Sequence, residues 1–184
     1  MTIIMKINKS TLLLSVFGLV FAGSALASSG TITITGKITD TTCNISVDGQ
    51  TSNATVTLPT VPASALPVAG NTAGTTPFSI ALSGCTGSVF ATAHTLFEAG
   101  TYVEQSTGRL NLTAASTATQ VQVELLNSAL SPIKAGATDA TQGDINTNFT
   151  ADTTTLNYFA RYYATGAAGA GSVNTAVDYT IIYL

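Results

Sequence analysis

The sequence predicts an all-β sandwich whose front segment is out of phase with the strand that follows it and whose last run is apolar to its end. Three observations point there. No stretch sustains a helical period; instead, apolar residues alternate with polar ones in short runs split by proline, glycine and other turn-formers. The alternation changes phase just before the first cysteine. The last apolar run continues to the final residue with nothing after it to cover its edge.

The phase change is the most specific of these. Between Ser29 and Ile38, residues Ile32, Ile34, Gly36 and Ile38 share one face at even positions. After Thr39-Asp-Thr-Thr42, Cys43, Ile45 and Val47 are odd. A one-residue slip sends side chains to the opposite face of a sheet. Either a bulge absorbs the slip, or residues 28–42 form a strand of a different sheet. Residues 43–184 then form the sandwich itself.

The segment ahead of this front strand reads as a secretory signal over residues 1–27. Lys6 and Lys9 give a positive start, Leu12 to Phe21 an apolar stretch, and Ala25-Leu-Ala27 a small-x-small cleavage site. The stretch is short for a membrane span, which needs about 20 apolar residues. The mature chain is therefore expected to start near Ser28 with no direct membrane insertion.

The remaining elements follow in order. Val56 and Leu58 end one run before Pro59. Pro59, Pro62, Pro67, Gly70 and Gly74 make a loop unsuited to a central strand. Phe78, Ile80 and Leu82 alternate up to Cys85, and shorter runs carry Leu110/Leu112 and Val121/Val123/Leu125. Pro132 and Gly136 interrupt the chain, and Asp139 to Thr155 reads as a long polar surface connection. Leu156, Tyr158, Ala160 and Tyr162 form a strand, Gly166 to Gly171 a turn, and Val177, Tyr179, Ile181 and Tyr183 the terminal strand before Leu184. An exposed apolar edge of that kind invites another strand to pair with it.

Composition excludes several functions. With six Lys and Arg against nine Asp and Glu, the net charge is −3, so there is no basic footprint for nucleic acid. Two cysteines, Cys43 and Cys85, in an exported chain favour a disulfide. Closing a loop of roughly 40 residues contributes about 3–4 kcal/mol in a chain-entropy model. His94 is the only histidine and has no acid near it in sequence. No activated serine and no metal-ligand spacing stands out, so no catalytic residue, metal or cofactor is expected. A secreted carbohydrate-binding sandwich is the alternative of another class. Trp is absent, however, and the tyrosines cluster in the last two runs rather than as scattered platforms.

The ordered set of segments resembles the chaperone–usher pilins, and within them the type 1 fimbrial major subunits. The segments are Gly30-Thr-Ile-Thr-Ile-Thr-Gly-Lys-Ile-Thr-Asp-Thr-Thr-Cys43, Phe78-Ser-Ile-Ala-Leu-Ser-Gly-Cys85, Tyr158-Phe-Ala-Arg-Tyr-Tyr-Ala-Thr-Gly166 and Gly171-Ser-Val-Asn-Thr-Ala-Val-Asp-Tyr-Thr-Ile-Ile-Tyr-Leu184. The resemblance implies an incomplete immunoglobulin-like sandwich with a Cys43–Cys85 disulfide. It makes residues 28–42 a donor strand for a neighbouring subunit, with Ile32, Ile34, Gly36 and Ile38 facing that subunit's groove. Ile34 would enter the initiating pocket, and Gly36 the shallow one beside it. Tyr179, Ile181, Tyr183 and Leu184 would form the last strand, facing the groove and, before assembly, a periplasmic chaperone. An outer-membrane usher would exchange chaperone for subunit in a head-to-tail fibre on the cell surface, serving adhesion and biofilm formation. A minor adaptor or anchoring subunit of the same fibre is the nearer alternative.

Overall fold

The structure, a computed structural model, describes residue 33, residues 42–87 and residues 91–184. The expected signal at 1–27 and the front-strand residues Ile32, Ile34, Gly36 and Ile38 lie outside the described residues. Among the described residues, strands β1 (Thr42–Val47), β2 (Thr72–Thr86), β3 (Thr92–Phe97), β4 (Thr119–Leu126), β5 (Thr147–Asn148), β6 (Thr154–Gly169) and β7 (Tyr179–Tyr183) make two sheets. One has the order β1-β2-β6-β4 and the other β5-β3-β7, with every pairing antiparallel.

Alternation decides which face each strand buries. In the larger sheet Ile80 sits opposite Leu156 and Phe78 opposite Tyr158. Val47 faces Ile80 and Leu125 faces Ala160 across their own ladders. In the smaller sheet Phe97 sits opposite Tyr179 and Thr95 opposite Ile181. The inward faces form one core, in which Tyr158 touches the Phe78 ring at 5.5 Å and meets Phe97 of the other sheet edge-on at 5.3 Å. Such aromatic pairs add about 0.5–1.5 kcal/mol beyond area burial. The Cys43–Cys85 disulfide fastens β1 to β2, as the cysteine count suggested. The register of β1 on β2 shifts between Thr42 and Asn44, where the sequence changes phase.

Four segments differ from the sequence expectation, each for a physical reason. Val56 and Leu58 are half-buried against the core, yet residues 51–61 join no ladder. Leu110 bridges both Val103 and Val123 without starting a strand, because the chain turns at Gly108 to pass between them. Strand β2 begins at Thr72 and holds Gly74 and Pro77. The prolyl residue is tolerated because pairing with β1 ends at Ile80, leaving that flank of Pro77 as an edge. The glycine run does not turn at Gly166, since β6 continues to Gly169 against β4. At Gly171, just past β6, a β-carbon would meet the main chain of Thr117 and Ala118, so glycine permits that close approach.

The expected surface connection over residues 139–155 is the largest correction. It holds the short helix α1 (Asp139–Gln142), β5 and the start of β6, and it seals the edge of β3. Gln142 is buried, and its side-chain amide donates to the Phe97 carbonyl and accepts from the Phe97 N–H. Asp144 accepts from the Thr95 N–H at 2.8 Å and from the Tyr158 hydroxyl at 2.7 Å. Polar side chains thus do for β3 what a neighbouring strand's backbone would do, which meets the demand that buried backbone groups be paired.

Candidate functional site

A cleft of about 920 Å³ opens between the two sheets. Its floor is the core itself: Phe78, Ile80, Phe97, Val123, Leu125 and Ala160. One wall is the extended segment 52–58, and the other is residues 173–181. Asp178 is the one charged residue among its described lining residues, over a floor that is apolar.

Both walls look like strands that lack a partner. Along residues 173–178 exposure alternates strictly, with Val173, Thr175 and Val177 half-buried and Asn174, Ala176 and Asp178 exposed. The outer flank of this wall is covered. Asn174 accepts from the Thr113 N–H and donates its own N–H to the Ser116 hydroxyl, and Asp178 accepts from the Glu98 N–H. Main-chain groups alternate sides along an extended chain, so those of Val173, Thr175 and Val177 point the other way, into the cleft. Among the described residues they form no main-chain hydrogen bond, and neither do those of Val56 and Leu58 opposite. Two bare strand edges thus face each other across an apolar trough.

The walls are preset by side chains. The Gln50 amide donates to the Thr55 carbonyl and accepts from its N–H, at 3.1 and 3.3 Å. The Tyr179 hydroxyl donates across the cleft to the Ser52 carbonyl at 2.9 Å. Burial raises the pKa of Tyr179, so the hydroxyl keeps its proton at neutral pH and remains a donor.

Of the residues expected on the last strand, Tyr179 and Ile181 line the cleft. Tyr183 packs beyond it, its ring stacked on Phe149 at 6.4 Å, and burial raises its pKa too. Leu184 has an exposed side chain, while its main-chain oxygen accepts from the N–H groups of Ala91 and Thr92. His94 is buried next to β7. Its Nε2 lies 2.6 Å from Asp139, which is distant in sequence and was invisible there.

Sequence reasoning missed three features. The run at Val56 and Leu58 was legible, but not its role as a wall. Glu124 is buried on β4 between Arg109 and Arg161, with contacts of 3.1 and 2.6 Å, and Arg109 stacks on Tyr163 at 3.5 Å. A lone acid inside the apolar run Val121–Leu126 was the available signal. The Asp144–Tyr158 bond had none. Burial pushes the Tyr158 hydroxyl well above the usual tyrosine range, and the Asp144 carboxylate adds to the rise.

Comparison with known proteins places this architecture among similar ones. The family model for the type-1 fimbrial protein, A, matches residues 58–184. The chain is 46% identical over 168 residues to the major fimbrial subunit SMF-1 of Stenotrophomonas maltophilia (strain K279a), covering 87% of this chain and 95% of that one. It is 38% identical over 182 residues to the F17 fimbrial protein of Escherichia coli, covering 96% and 99%. Among solved structures, a chaperone–usher pilus superposes with a TM-score of 0.59 at 15% identity, covering 89% of this chain and all of that one. The P pilus rod subunit PapA superposes at 0.55 and 18% identity, covering 77% and 99%. At these identities the two structures speak for a shared fold alone.

Proposed function

The chain belongs to the type-1 fimbrial protein family and is a structural subunit of a surface fimbria; from that premise we propose that its open cleft receives the front strand, residues 28–42, of the next copy. The reading rests on one observation: two extended walls that have no ladder partner among the described residues flank an apolar cleft of about 920 Å³. An inserted strand supplies main-chain bonds to both walls and side chains to the floor. Ile32, Ile34 and Ile38 would bury there. Full burial of such a side chain is worth about 1.5–3 kcal/mol. Gly36 would pass where a side chain meets the floor.

On this reading each copy gives its strand to one neighbour and takes the strand of another into its cleft. The contact is heterologous, and repetition gives an open fibre instead of a closed ring. Before assembly a periplasmic chaperone fills the cleft, with the terminal strand through Tyr179, Ile181, Tyr183 and Leu184 at its contact. An outer-membrane usher exchanges that filler for the next subunit. Release of an inserted strand requires opening its whole length, so the fibre is kinetically durable. Attachment and biofilm formation arise at the level of the fibre, and the subunit itself catalyses no reaction.

The test uses mature protein lacking residues 28–39 and a synthetic peptide of Ser28 to Thr39. The native peptide is expected to raise the thermal unfolding temperature strongly and to leave slowly, whereas the peptide with Gly36→Arg has no effect. A truncated protein that is already stable and ignores both peptides rules the reading out.

A further inference from the structure

We propose that Tyr179 is a strut that holds the cleft at the width of one missing strand, making it a positioning residue for strand insertion. The inference rests on the strand-exchange reading above and concerns how the cleft is readied. Neighbouring strands lie roughly 4.8 Å apart, so walls that accept one strand between them must stand two spacings apart, roughly 9–10 Å. Two bare edges lining an apolar trough have an alternative, which is to close and pair with each other. Direct pairing would bring them to a single spacing.

The structure holds them from that collapse with a side chain. The Tyr179 hydroxyl reaches the Ser52 carbonyl on the opposite wall at 2.9 Å, while no main-chain hydrogen bond joins residues 52–58 to 173–179 among the described residues. A phenol ring followed by one hydrogen bond is long enough to bridge walls two strand spacings apart, so the bond can hold them open at that level. The ring starts from β7, which is anchored by its ladder to β3, with Phe97 opposite Tyr179. Its hydroxyl fixes the opposite wall at Ser52. On that wall, the Gln50 amide grips both main-chain groups of Thr55, and Ser46 donates to the Gln50 carbonyl at 2.7 Å. The loose wall is thus pinned at Ser52 by Tyr179 and at Thr55 by Gln50. Preorganisation of this kind lowers the ordering cost at the moment of binding and is read in the association rate.

The experiment uses the full mature chain carrying Gly36→Arg, which disables its own strand as a donor and leaves the cleft in place. A fluorescent Ser28–Thr39 peptide is added, and association and dissociation are followed separately. Tyr179→Phe keeps the ring in the core and removes only the bond to Ser52. Association is expected to slow about fivefold, the rate equivalent of one net hydrogen bond. Dissociation is expected to stay within about twofold, because the inserted strand then spaces the walls itself. Gln50→Ala should slow association in the same way. An unchanged or faster association for Tyr179→Phe overturns the strut, the faster rate marking a clasp that must open. If the unsubstituted cleft takes up no peptide, the strand-exchange reading falls and the strut with it. Peptide uptake with unaltered rates removes the strut alone.

Discussion

Replacing Asp144 by alanine should destabilise the sandwich strongly. Its carboxylate is the acceptor for two donors that have no route to water: the Thr95 N–H, in a residue with 0% exposure, and the hydroxyl of Tyr158, at 2%. Leaving a buried donor unsatisfied costs about 1–3 kcal/mol. The pair therefore sets a loss of about 2–6 kcal/mol, or roughly 4–24 °C in Tm at about 2–4 °C per kcal/mol. Urea unfolding followed by the near-ultraviolet tyrosine signal reads this cleanly, since there is no Trp. Tyr158→Phe removes one of the two donors, so the double variant should lose less than the sum, with coupling of about 1 kcal/mol or more. A loss below about 0.5 kcal/mol, or strict additivity, would refute the idea that this segment stands in for a strand beside β3.

Arg161→Met leaves the buried Glu124 with Arg109 alone and should cost about 3 kcal/mol in the same unfolding assay, while Glu124→Gln with Arg161→Met should recover part of it. Alkaline pH should destabilise the fold through Tyr158, whose pKa is raised in the folded state. The unfolded chain loses that proton near pH 10 and the folded chain holds it. The contribution is thus full below about pH 10 and is lost as pH rises toward the folded value. Tyr158→Phe should make the fall in Tm above pH 10 shallower. Reducing Cys43–Cys85 should cost about 3–4 kcal/mol, seen as a lower urea midpoint with reductant than without.

How far the sequence could be read depends on where each residue's partner lies. Runs whose partners are apolar and periodic were legible: β1, β4, the first part of β6 and β7 follow from alternation at Ile45, Val123, Tyr158 and Ile181. The terminal run was also legible as a strand, and two of its alternating residues, Tyr179 and Ile181, line the cleft. The opposite wall was not. Val56 and Leu58 alternate, but their neighbours are polar and their function depends on facing residues 173–181 across the cleft. The polar segment after Asp139 was misjudged because hydrophilicity reads as exposure. Gln142 and Asp144 are buried for what they bond, the main chain of Phe97 and Thr95, and long-range pairing of that kind leaves no periodic trace. Gly166 misled in the opposite sense, since it lies inside β6 and not at a turn.

The most direct test of strand exchange is amide hydrogen exchange at the two walls of mature protein lacking residues 28–39, with and without the Ser28–Thr39 peptide. The amides of Val56, Leu58, Val173, Thr175 and Val177 should exchange quickly in the empty protein and become strongly protected when the peptide binds, while β2 and β6 are protected throughout. Wall amides that are already protected without peptide, or that stay fast with it bound, would contradict the account.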